Sequence, residues 1–285
     1  MYPLDAVERT AFLTAALRAA ESRRPDRLYD DPFAARLAGT LGPDLLEEIV
    51  RVTFPRGAPR TLPSTPDYNA IRTRLFDDWV LGSAGDIAGA QVVIAPAGLD
   101  SRAFRLTWPA GTRVFEVDRK PVLDAKATLL GDARAGVERI VVAADMVAQD
   151  WTTALSAAGY DATVPSVWLL EGLLYYIPEQ DVHRILRDVA GVTAPGSRIA
   201  ADVVNEDALR LPHMRGLLDV FQRWGCPWLF GANEPERLFA PYGFQVSAAQ
   251  PGDADANFGR WPDPVPPREV HDVRRVFFVR GHRVP

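Results

Sequence analysis

The chain has 285 residues and a mass of 31.3 kDa, and 47% of its residues are hydrophobic, so it can bury a full core. The net charge of −5 is mild and spread along the sequence, which argues against nucleic acid as a partner. The single cysteine, Cys226, excludes an intrachain disulfide and a cysteine cluster for zinc, and the four histidines lie far apart, so we expect no metal site.

The beginning of the chain does not have the features of a targeting segment. Residues 1–10 lack the basic start and the apolar run of a signal peptide. No window approaches the roughly 18 uncharged apolar residues that a membrane helix needs. We therefore expect a cytoplasmic protein that does not associate with a membrane.

Residues 1–89 are predicted to form a helical N-terminal cap. Asp31 and Pro32 suit the cap and the first turn of a helix. Four prolines between Pro55 and Pro66 predict a loop. Helical spacing of apolar residues and these start signals predict three helices, over residues 7–20, 32–37 and 68–81.

From residue 90 to residue 285, apolar strands alternate with helical segments. Strands that are apolar on both faces and separated by helices form a parallel sheet covered on both sides, as in a Rossmann-like α/β domain. The last two strands are joined by a Pro-rich loop without a clear helix, which predicts a closing antiparallel pair. The seven predicted strands are residues 92–95, 114–117, 140–143, 167–170, 199–204, 244–248 and 276–279, with helices at 121–130, 151–158 and 179–192.

An apolar, aromatic insertion follows the fifth strand over about residues 205–243. It contains Met214, Phe221, Trp224 and Trp228. Such a segment is typical both of a lid over an active site and of ordinary core packing, and the sequence favours neither over the other.

Residues 92–106 are predicted to form a strand, a tight turn and a helix. The β-branched run ends at Pro96 and Gly98, and Asp100 follows before helix-competent sequence resumes. A buried parallel strand delivers the chain to the carboxyl edge of a sheet, where backbone amides and a helix start face a crevice. Gly98 lets a ligand approach the main chain because it lacks a Cβ. This stretch therefore predicts a nucleotide or nucleoside pocket.

Polar side chains follow three further strands. Asp118 ends the second strand, where a carboxylate usually accepts hydrogen bonds from the two hydroxyls of a ribose. Asp145 and Met146 follow the third strand, where a carboxylate can accept from an adenine amino group while the methionine packs on the ring. Glu171 follows the fourth strand. We expect these groups to face the same crevice.

The expected ligand is a nucleoside rather than a dinucleotide. The dinucleotide fingerprint needs three glycines, and the three positions are Pro96, Gly98 and Ser101. Without two of the glycines a pyrophosphate cradle is not expected, which disfavours a nicotinamide-dependent oxidoreductase. S-adenosylmethionine has no phosphate, so it demands less of the turn and tolerates several nearby acids.

Several blocks of the sequence, taken together, resemble a known family. It is similar to the leucine carboxyl methyltransferase family of class I S-adenosylmethionine-dependent methyltransferases, and within it to the bacterial O-methyltransferase branch. The closing Phe277-Phe278-Val279 strand also fits. The resemblance implies a Rossmann-like class I methyltransferase fold and S-adenosylmethionine as cofactor. The matching blocks are residues 16–34, which end in Asp-Asp-Pro-Phe-Ala, 71–78, which contain Arg-Thr-Arg, 92–106, 114–126, 144–146 and 168–178.

The resemblance also implies which residues hold the cofactor. Arg18 and Arg72 fall where the family places basic residues that grip the methionyl carboxylate. Glu171 would lie near the methionine end, Asp118 at the ribose, and Asp145 and Met146 at the adenine. The complete implied set is Arg18, Arg72, Ala97, Gly98, Asp100, Asp118, Asp145, Met146 and Glu171.

One position departs from the family pattern. The family commonly has Gly-Ala-Gly at the turn, and this chain has Pro96-Ala97-Gly98. Proline lacks an amide hydrogen and fixes φ, so a backbone contact at position 96 is lost or reduced to a carbonyl. We expect cofactor binding to be retained.

The need for a general base depends on the methyl acceptor. A carboxyl acceptor with a pKa of about 4 is already ionised at neutral pH and needs no base, whereas a phenol with a pKa of about 10 benefits from one. His213 is the candidate base because it lies in the predicted lid, with His183 and His271 as alternatives. Tyr175 or Tyr176 would orient the acceptor.

These observations predict a small-molecule O-methyltransferase that acts on a carboxyl or phenolic hydroxyl group, in natural-product biosynthesis of the polyketide type. Two alternatives stay open. One is a family member that binds S-adenosylmethionine but steers a cyclisation or rearrangement without methyl transfer. The other is a protein C-terminal carboxyl methyltransferase. The family also contains enzymes that act on a modified tRNA base, which the acidic net charge disfavours. The sequence does not determine the oligomeric state.

Overall fold

Seven strands form one sheet in the computed structural model, which describes residues 6–53, 65–147 and 150–285. Their order across the sheet is 3-2-1-4-5-7-6 in chain numbering; the seventh strand pairs antiparallel with the fifth and the sixth, and the other neighbouring pairs are parallel. The predicted mostly parallel sheet and its closing antiparallel pair are therefore confirmed. The strands are β1 (Gln91–Ile94), β2 (Arg113–Asp118), β3 (Glu138–Ala143), β4 (Ser166–Leu170), β5 (Arg198–Val204), β6 (Phe244–Ala249) and β7 (Val276–Arg283).

The chain reverses its direction of travel across the sheet at β1. This strand pairs with β2 on one side and with β4 on the other, so that Val92 lies between Val114 and Val167. All residues of β1 and β4 are buried, as expected for strands covered on both faces. A crevice forms at the carboxyl ends of strands where such a reversal occurs. The topology therefore places a ligand site beyond β1, β2 and β4.

Helices cover both faces of the sheet and form most of the first 85 residues of the described chain. The predicted helices over residues 7–20 and 68–81 are confirmed and extend further at both ends. In the described residues the α-helices are α1 (Ala6–Ser22), α2 (Ala34–Ala38), α3 (Leu41–Thr53), α4 (Thr65–Gly85), α5 (Arg102–Arg105), α6 (Lys120–Leu130), α7 (Trp151–Ala157), α8 (Glu179–Gly191), α9 (Arg215–Arg223) and α10 (Pro235–Phe239).

Two details of the predicted N-terminal helices are wrong. Helix α2 begins at Ala34 rather than at Pro32, because the Asp31 carboxylate accepts from the Phe33 amide at 3.1 Å and holds the preceding turn. Helix α3 was not predicted, since Gly and Pro in its first turn mask its apolar periodicity. The loop predicted between Pro55 and Pro66 falls mainly on residues 54–64, which lie outside the described residues.

The insertion over residues 205–243 belongs to the same core as the N-terminal helices. Leu217, Phe221 and Trp224 pack in one apolar cluster with side chains of α1, α2 and α3. Leu99 from the turn after β1 joins that cluster as well. Apolar contacts therefore cross the boundary predicted near residue 89. Within the described residues, none of the helices is both long and apolar enough to traverse a membrane.

Candidate functional site

An open cavity of ≈ 820 Å³ lies at the carboxyl ends of β1, β2 and β4. Helices α1 and α4 form its opposite wall, so the N-terminal helices and the sheet together enclose it. The polar lining is Thr10, Thr14, Arg18, Asn69, Arg72, Thr73, Asp100, Arg102, Arg105, Asp118, Glu171, Tyr175 and Tyr176, and the turn after β1 contributes Pro96, Ala97, Gly98 and Leu99.

The turn after β1 is fixed by the end of β2. The Gly98 amide donates to Asp118 Oδ2 at 2.6 Å, and the Ala97 amide donates to the Val117 carbonyl at 2.8 Å. Gly98 has φ +48°, a left-handed conformation that favours glycine, although a Cβ there would meet only Ala11 Cβ, at 3.6 Å. Glycine is therefore required at this position for its backbone conformation rather than for space.

Asp118 is a buried carboxylate at the edge of the cavity. It accepts from the Gly98 amide and, through Oδ1, from the Arg119 amide at 2.7 Å. Burial raises the pKa of Asp118 above its usual value, although both backbone hydrogen bonds favour the charged form. A carboxylate has about four lone-pair sites, so capacity remains to accept hydrogen bonds from a ligand.

Arg72 joins α4 to β5 and to the end of β4. Its Nη1 donates to Asp202 Oδ2 at 2.8 Å, and its Nε lies 2.8 Å from Glu171 Oε1 as an ion pair without hydrogen-bond geometry. The other oxygen of Glu171 accepts from Arg102 Nη1 at 2.8 Å. Arg102 Nη1 also forms a short ion pair with Asp100. Two of the residues predicted at the methionine end, Arg72 and Glu171, are thus joined in one buried network.

Asp31 and Asp77 form further ion pairs beside this network. Asp31 Oδ2 accepts from Arg18 Nε at 2.8 Å and from Ser101 Oγ at 2.6 Å. Burial opposes ionisation of Asp31, but Arg18 and the other donors outweigh it and lower the pKa of this carboxyl below its usual value. Asp77 binds both Arg102 Nε, at 2.7 Å, and Arg105 Nη1, at 2.6 Å. These ion pairs hold α1, α4 and α5 together around the cavity.

The structure places most of the predicted site residues at this cavity. Three lie elsewhere. Asp145 is exposed and accepts from the Val147 amide at 2.9 Å, and Met146 is buried in the core beneath the sheet. His213 is exposed in a short 3₁₀ helix, Pro212–Met214. The residues that the cavity brings together are Arg18, Arg72, Ala97, Gly98, Asp100, Asp118, Glu171 and Tyr175. Their functional roles, like those of the other three, stay predictions.

A second cavity, of ≈ 580 Å³, adjoins the first. Phe221 and Trp228 from the insertion stack at 5.6 Å between ring centroids and line it, and Trp228 lies 5.0 Å from the Tyr175 ring. The insertion thus forms both core and cavity wall. The residues that line both cavities are Thr10, Thr14, Asn69, Arg72, Tyr175 and Tyr176.

Asp202 is a site residue that sequence reasoning missed. It lies in the middle of β5 with no exposed surface and accepts from Tyr68 Oη at 2.7 Å and from the Gly172 amide at 2.6 Å, besides Arg72. The available signal was a lone acid in an otherwise apolar strand, since a buried carboxylate needs partners. Arg102, equally missed, follows the predicted turn closely in sequence.

The family model for leucine carboxyl methyltransferase matches residues 11–190, more than half of the chain. The chain belongs to the leucine carboxyl methyltransferase family. It is therefore a methyltransferase, and its methyl donor is S-adenosylmethionine.

Curated relatives extend this match over nearly the whole methyltransferase. A protein of Mycolicibacterium smegmatis is 36% identical over 275 residues, 91% of this chain and 89% of its own length. A protein of Saccharopolyspora erythraea is 39% identical over 262 residues, 88% of each chain. Both are provisionally named S-adenosyl-L-methionine-dependent methyltransferases.

Solved structures share the fold of this methyltransferase. A protein of Thermobifida fusca, provisionally named a methyltransferase, has a TM-score of 0.61 at 19% identity and covers 92% of this chain and 95% of its own. A protein of the DUF574 family from Streptomyces avermitilis has a TM-score of 0.59 at 14% identity, covering 95% and 97%. The class I Rossmann-like fold expected from the sequence is confirmed.

The residues at the first cavity fit S-adenosylmethionine. This cofactor carries positive charges on its sulfonium and amino groups and one carboxylate. The cavity lining contains both carboxylates and guanidinium groups, which suits a ligand that carries positive and negative charges. Asp118 keeps acceptor capacity for ribose hydroxyls. The lining carboxylates are Asp100, Asp118 and Glu171, and the guanidinium groups are Arg18, Arg72, Arg102 and Arg105.

Proposed function

We propose that this methyltransferase transfers the methyl group to an oxygen of a small molecule, at a carboxyl or phenolic hydroxyl group, in the biosynthesis of a natural product in the cytoplasm. The observation that carries the proposal is the apolar cavity of ≈ 580 Å³ beside the cofactor cavity. A predominantly apolar lining with a few polar groups suits an organic molecule. Its aromatic walls, Phe221, Trp228 and Tyr175, favour a flat, aromatic acceptor.

The chain's own groups at the cofactor cavity would bind and orient the donor. When bound, S-adenosylmethionine supplies an electrophilic methyl group on a positively charged sulfonium. Asp118 accepts hydrogen bonds from the ribose hydroxyls. Arg18 and Arg72 face the carboxylate of the methionine moiety, and Glu171 faces its amino group. Much of the acceleration comes from holding donor and acceptor in line.

The lining favours an acceptor that is already ionised. Among the described residues no histidine lines either cavity. Burial and the nearby Asp202 carboxylate raise the pKa of Tyr175 well above its usual value of 10.0, so its hydroxyl stays protonated and acts as an orienting donor. A carboxyl group with a pKa of about 4 needs no base at neutral pH. A phenol would depend on the positive charge of Arg72 to stabilise its anion.

The apolar walls also support the reaction electrostatically. Methyl transfer to an oxygen anion neutralises a cation and an anion as they meet. Excluding water from the acceptor favours that step, because the reacting charges lose less hydration than they would in open solvent. Leu217 and Phe221 from the insertion, with Leu13 and Leu17 from α1, form this water-excluding wall.

The experiment measures binding first and transfer second. Calorimetric titration with S-adenosylhomocysteine should give micromolar binding, and incubation with S-adenosylmethionine and a panel of aromatic carboxylic acids and phenols should add the mass of one methyl group to an oxygen. Tyr175→Phe, which keeps the ring and removes the orienting hydroxyl, should lower the transfer rate with little change in cofactor affinity. Methyl transfer only to amines or carbon atoms would contradict O-methylation, and cofactor binding without any transfer would contradict small-molecule methylation altogether.

A further inference from the structure

Arg274, the second residue before β7, lies at one end of the apolar cavity. It is half-buried and lines this cavity together with Tyr68 and Val276. The same three residues line a smaller neighbouring cavity on the other side. Arg274 does not line the first cavity, where the cofactor is expected to bind. The apolar second cavity adjoins the first at Arg72 and Tyr175.

Within the described residues, Arg274 has no hydrogen-bond or ion-pair partner, and its nitrogens are not fully buried. The neighbouring Arg275 differs, because it donates to the carbonyls of Val273 and Pro267. Residues 54–64 contain no acidic side chain, and the only acidic side chains that the structure leaves undescribed are Asp5 and Glu8.

Among the described residues, Arg274 has no counter-charge in the cavity that it lines. No acidic residue is found among the described residues that line it. Asp202, the buried carboxylate that contacts Tyr68, is already bound by Tyr68, Arg72 and the Gly172 amide. Arg72, the other cation in the lining, is compensated by Asp202 and Glu171. Arg274 therefore gives the far end of the cavity an uncompensated positive charge.

An uncompensated guanidinium in apolar surroundings is energetically costly. Burial lowers the pKa of Arg274 below its usual value of 12.5 because it disfavours the charged form, while the nearby Tyr68 acts in the opposite direction. The group nevertheless remains protonated at neutral pH. An anion that enters this cavity would replace the lost hydration and could bind the planar fork through two parallel hydrogen bonds.

We propose that the acceptor carries a carboxylate, distinct from the oxygen that is methylated, and that this carboxylate binds Arg274 at the far end of the apolar cavity. The inference rests on the proposed function, since it assumes that the acceptor occupies this cavity. The reacting oxygen then lies at the opposite end, beside Arg72 and Tyr175, where the two cavities meet. Arg274 is thereby a specificity-determining residue: it selects anionic acceptors and sets which end of the molecule is methylated.

The test compares two probes that differ only in the proposed recognition group. With the protein saturated by S-adenosylhomocysteine, 6-hydroxy-2-naphthoate and the neutral 6-hydroxy-2-naphthamide are titrated by calorimetry. We expect the naphthoate to bind at least tenfold more tightly. Arg274→Gln should abolish this preference, Arg274→Lys should retain part of it, and the exposed Arg237→Gln should leave it unchanged.

Two further readouts separate recognition from structure. Arg274 has no partner in the described chain, so Arg274→Gln should leave the melting temperature unchanged or raise it, whereas loss of a structural ion pair would lower it. Affinity for S-adenosylhomocysteine should not change, because Arg274 does not line the cofactor cavity.

Three outcomes would overturn the proposal: equal affinity of the wild-type protein for both probes, no binding of either, or a preference that survives Arg274→Gln. Failure of the proposed function would look different. In that case S-adenosylhomocysteine binds and no oxygen acceptor is methylated, whatever the charge preference at Arg274.

Discussion

At the scale of single residues, Arg72 carries the largest share of the contacts that assemble the site. One guanidinium reaches Asp202 in β5 and Glu171 beyond β4, and its Nη1 also approaches the hydroxyls of Tyr68 and Tyr175. A planar guanidinium can serve several acceptors at fixed angles, whereas a lysine ammonium cannot. The site therefore depends on arginine itself and not only on positive charge.

Replacing Arg72 by alanine should impair both folding and cofactor binding. The change removes the cation that pairs with buried Asp202 and one of the cations that pair with Glu171, which we expect to lower the free energy of unfolding by about 3–5 kcal/mol. Affinity for S-adenosylhomocysteine should fall at least tenfold, measured by calorimetry at a temperature where circular dichroism shows the variant folded. Arg74→Ala, on the same helix but half-exposed, is the control: it removes an ion pair with Asp78 and a hydrogen bond to the Leu28 carbonyl, and it should change the affinity little. Lower stability with unchanged affinity would restrict Arg72 to a structural role.

The stability of the fold should depend on pH through the ionisation of Asp100. Burial opposes ionisation of Asp100, but Arg102 and other nearby cations outweigh it and lower its pKa from 3.8 to about 2. Because the folded-state pKa is below the unfolded-state value, the ionised carboxylate stabilises the fold above about pH 4. That contribution, about 2 kcal/mol, is lost as the pH falls from about 4 to about 2.

The free energy of unfolding of Asp100→Asn and of the wild-type protein is measured by urea titration at several pH values. At pH 6 the variant should be less stable by about 2 kcal/mol, and the difference should shrink below pH 4. Asp124→Asn, an exposed carboxylate paired with Lys120, should show only a small difference throughout. A difference for Asp100→Asn that does not vary with pH would mean that ionisation of this group does not stabilise the fold.

At the scale of elements, α9 connects the insertion to the N-terminal helices and to the apolar cavity. Phe221 stacks on Trp228 and meets Trp224 edge-on, at 5.6 Å between ring centroids in both pairs. Glu48 of α3 accepts hydrogen bonds from the Arg223 guanidinium and from the indole nitrogen of Trp224. The helix therefore packs in the core through Leu217 and Phe221, the same side chains that line the cavity.

Phe221→Ala should separate acceptor binding from cofactor binding. Loss of the ring from a site that borders a cavity should lower the free energy of unfolding by roughly 2–3 kcal/mol, below the full-core range. Binding of 6-hydroxy-2-naphthoate should weaken, while affinity for S-adenosylhomocysteine should stay unchanged because Phe221 lines only the second cavity. Asp219→Ala, exposed on the same helix, controls for helix effects. Equal loss of both affinities would show that α9 also shapes the cofactor cavity.

At the scale of the whole molecule, the cap and the sheet share their core. The cluster that includes Leu17, Leu37 and Ile49 of the N-terminal helices also includes Leu99, Leu130 and Phe221 from the rest of the chain. Arg18 further ties α1 to the Leu99 carbonyl at 2.6 Å. The predicted division at residues 1–89 and 90–285 thus marks a change of architecture across a continuous interior.

We therefore expect the chain to unfold in one cooperative transition. Urea unfolding followed by tryptophan fluorescence and by far-ultraviolet circular dichroism should give coincident curves. S-adenosylhomocysteine at one hundred times its dissociation constant should raise the free energy of unfolding by about 2.7 kcal/mol in both. Two transitions, of which the ligand moves only one, would mean that the cap and the sheet unfold as separate units.

The sequence by itself determined the sheet, most of the helices and one edge of the site. Apolar periodicity is a local property, so all seven strands could be found from it, and a polar group at a strand end follows from where the apolar run stops. Asp118 and Glu171 were found in this way, and the structure places both at the cavity. Helix α3 was not predicted because its first turn contains a glycine and a proline.

Only the tertiary structure decided which of these groups meet. Asp145 follows β3, which lies at the edge of the sheet beyond β2, so its side chain is exposed although the local pattern resembles that of Asp118. Arg72 and Asp202 are 130 residues apart, and nothing in either local pattern encodes their ion pair. The unpartnered charge of Arg274 is likewise visible only when its surroundings are known. Local pattern sets where strands end, but lateral strand order and long-range charge pairing arise from the packing of the whole chain.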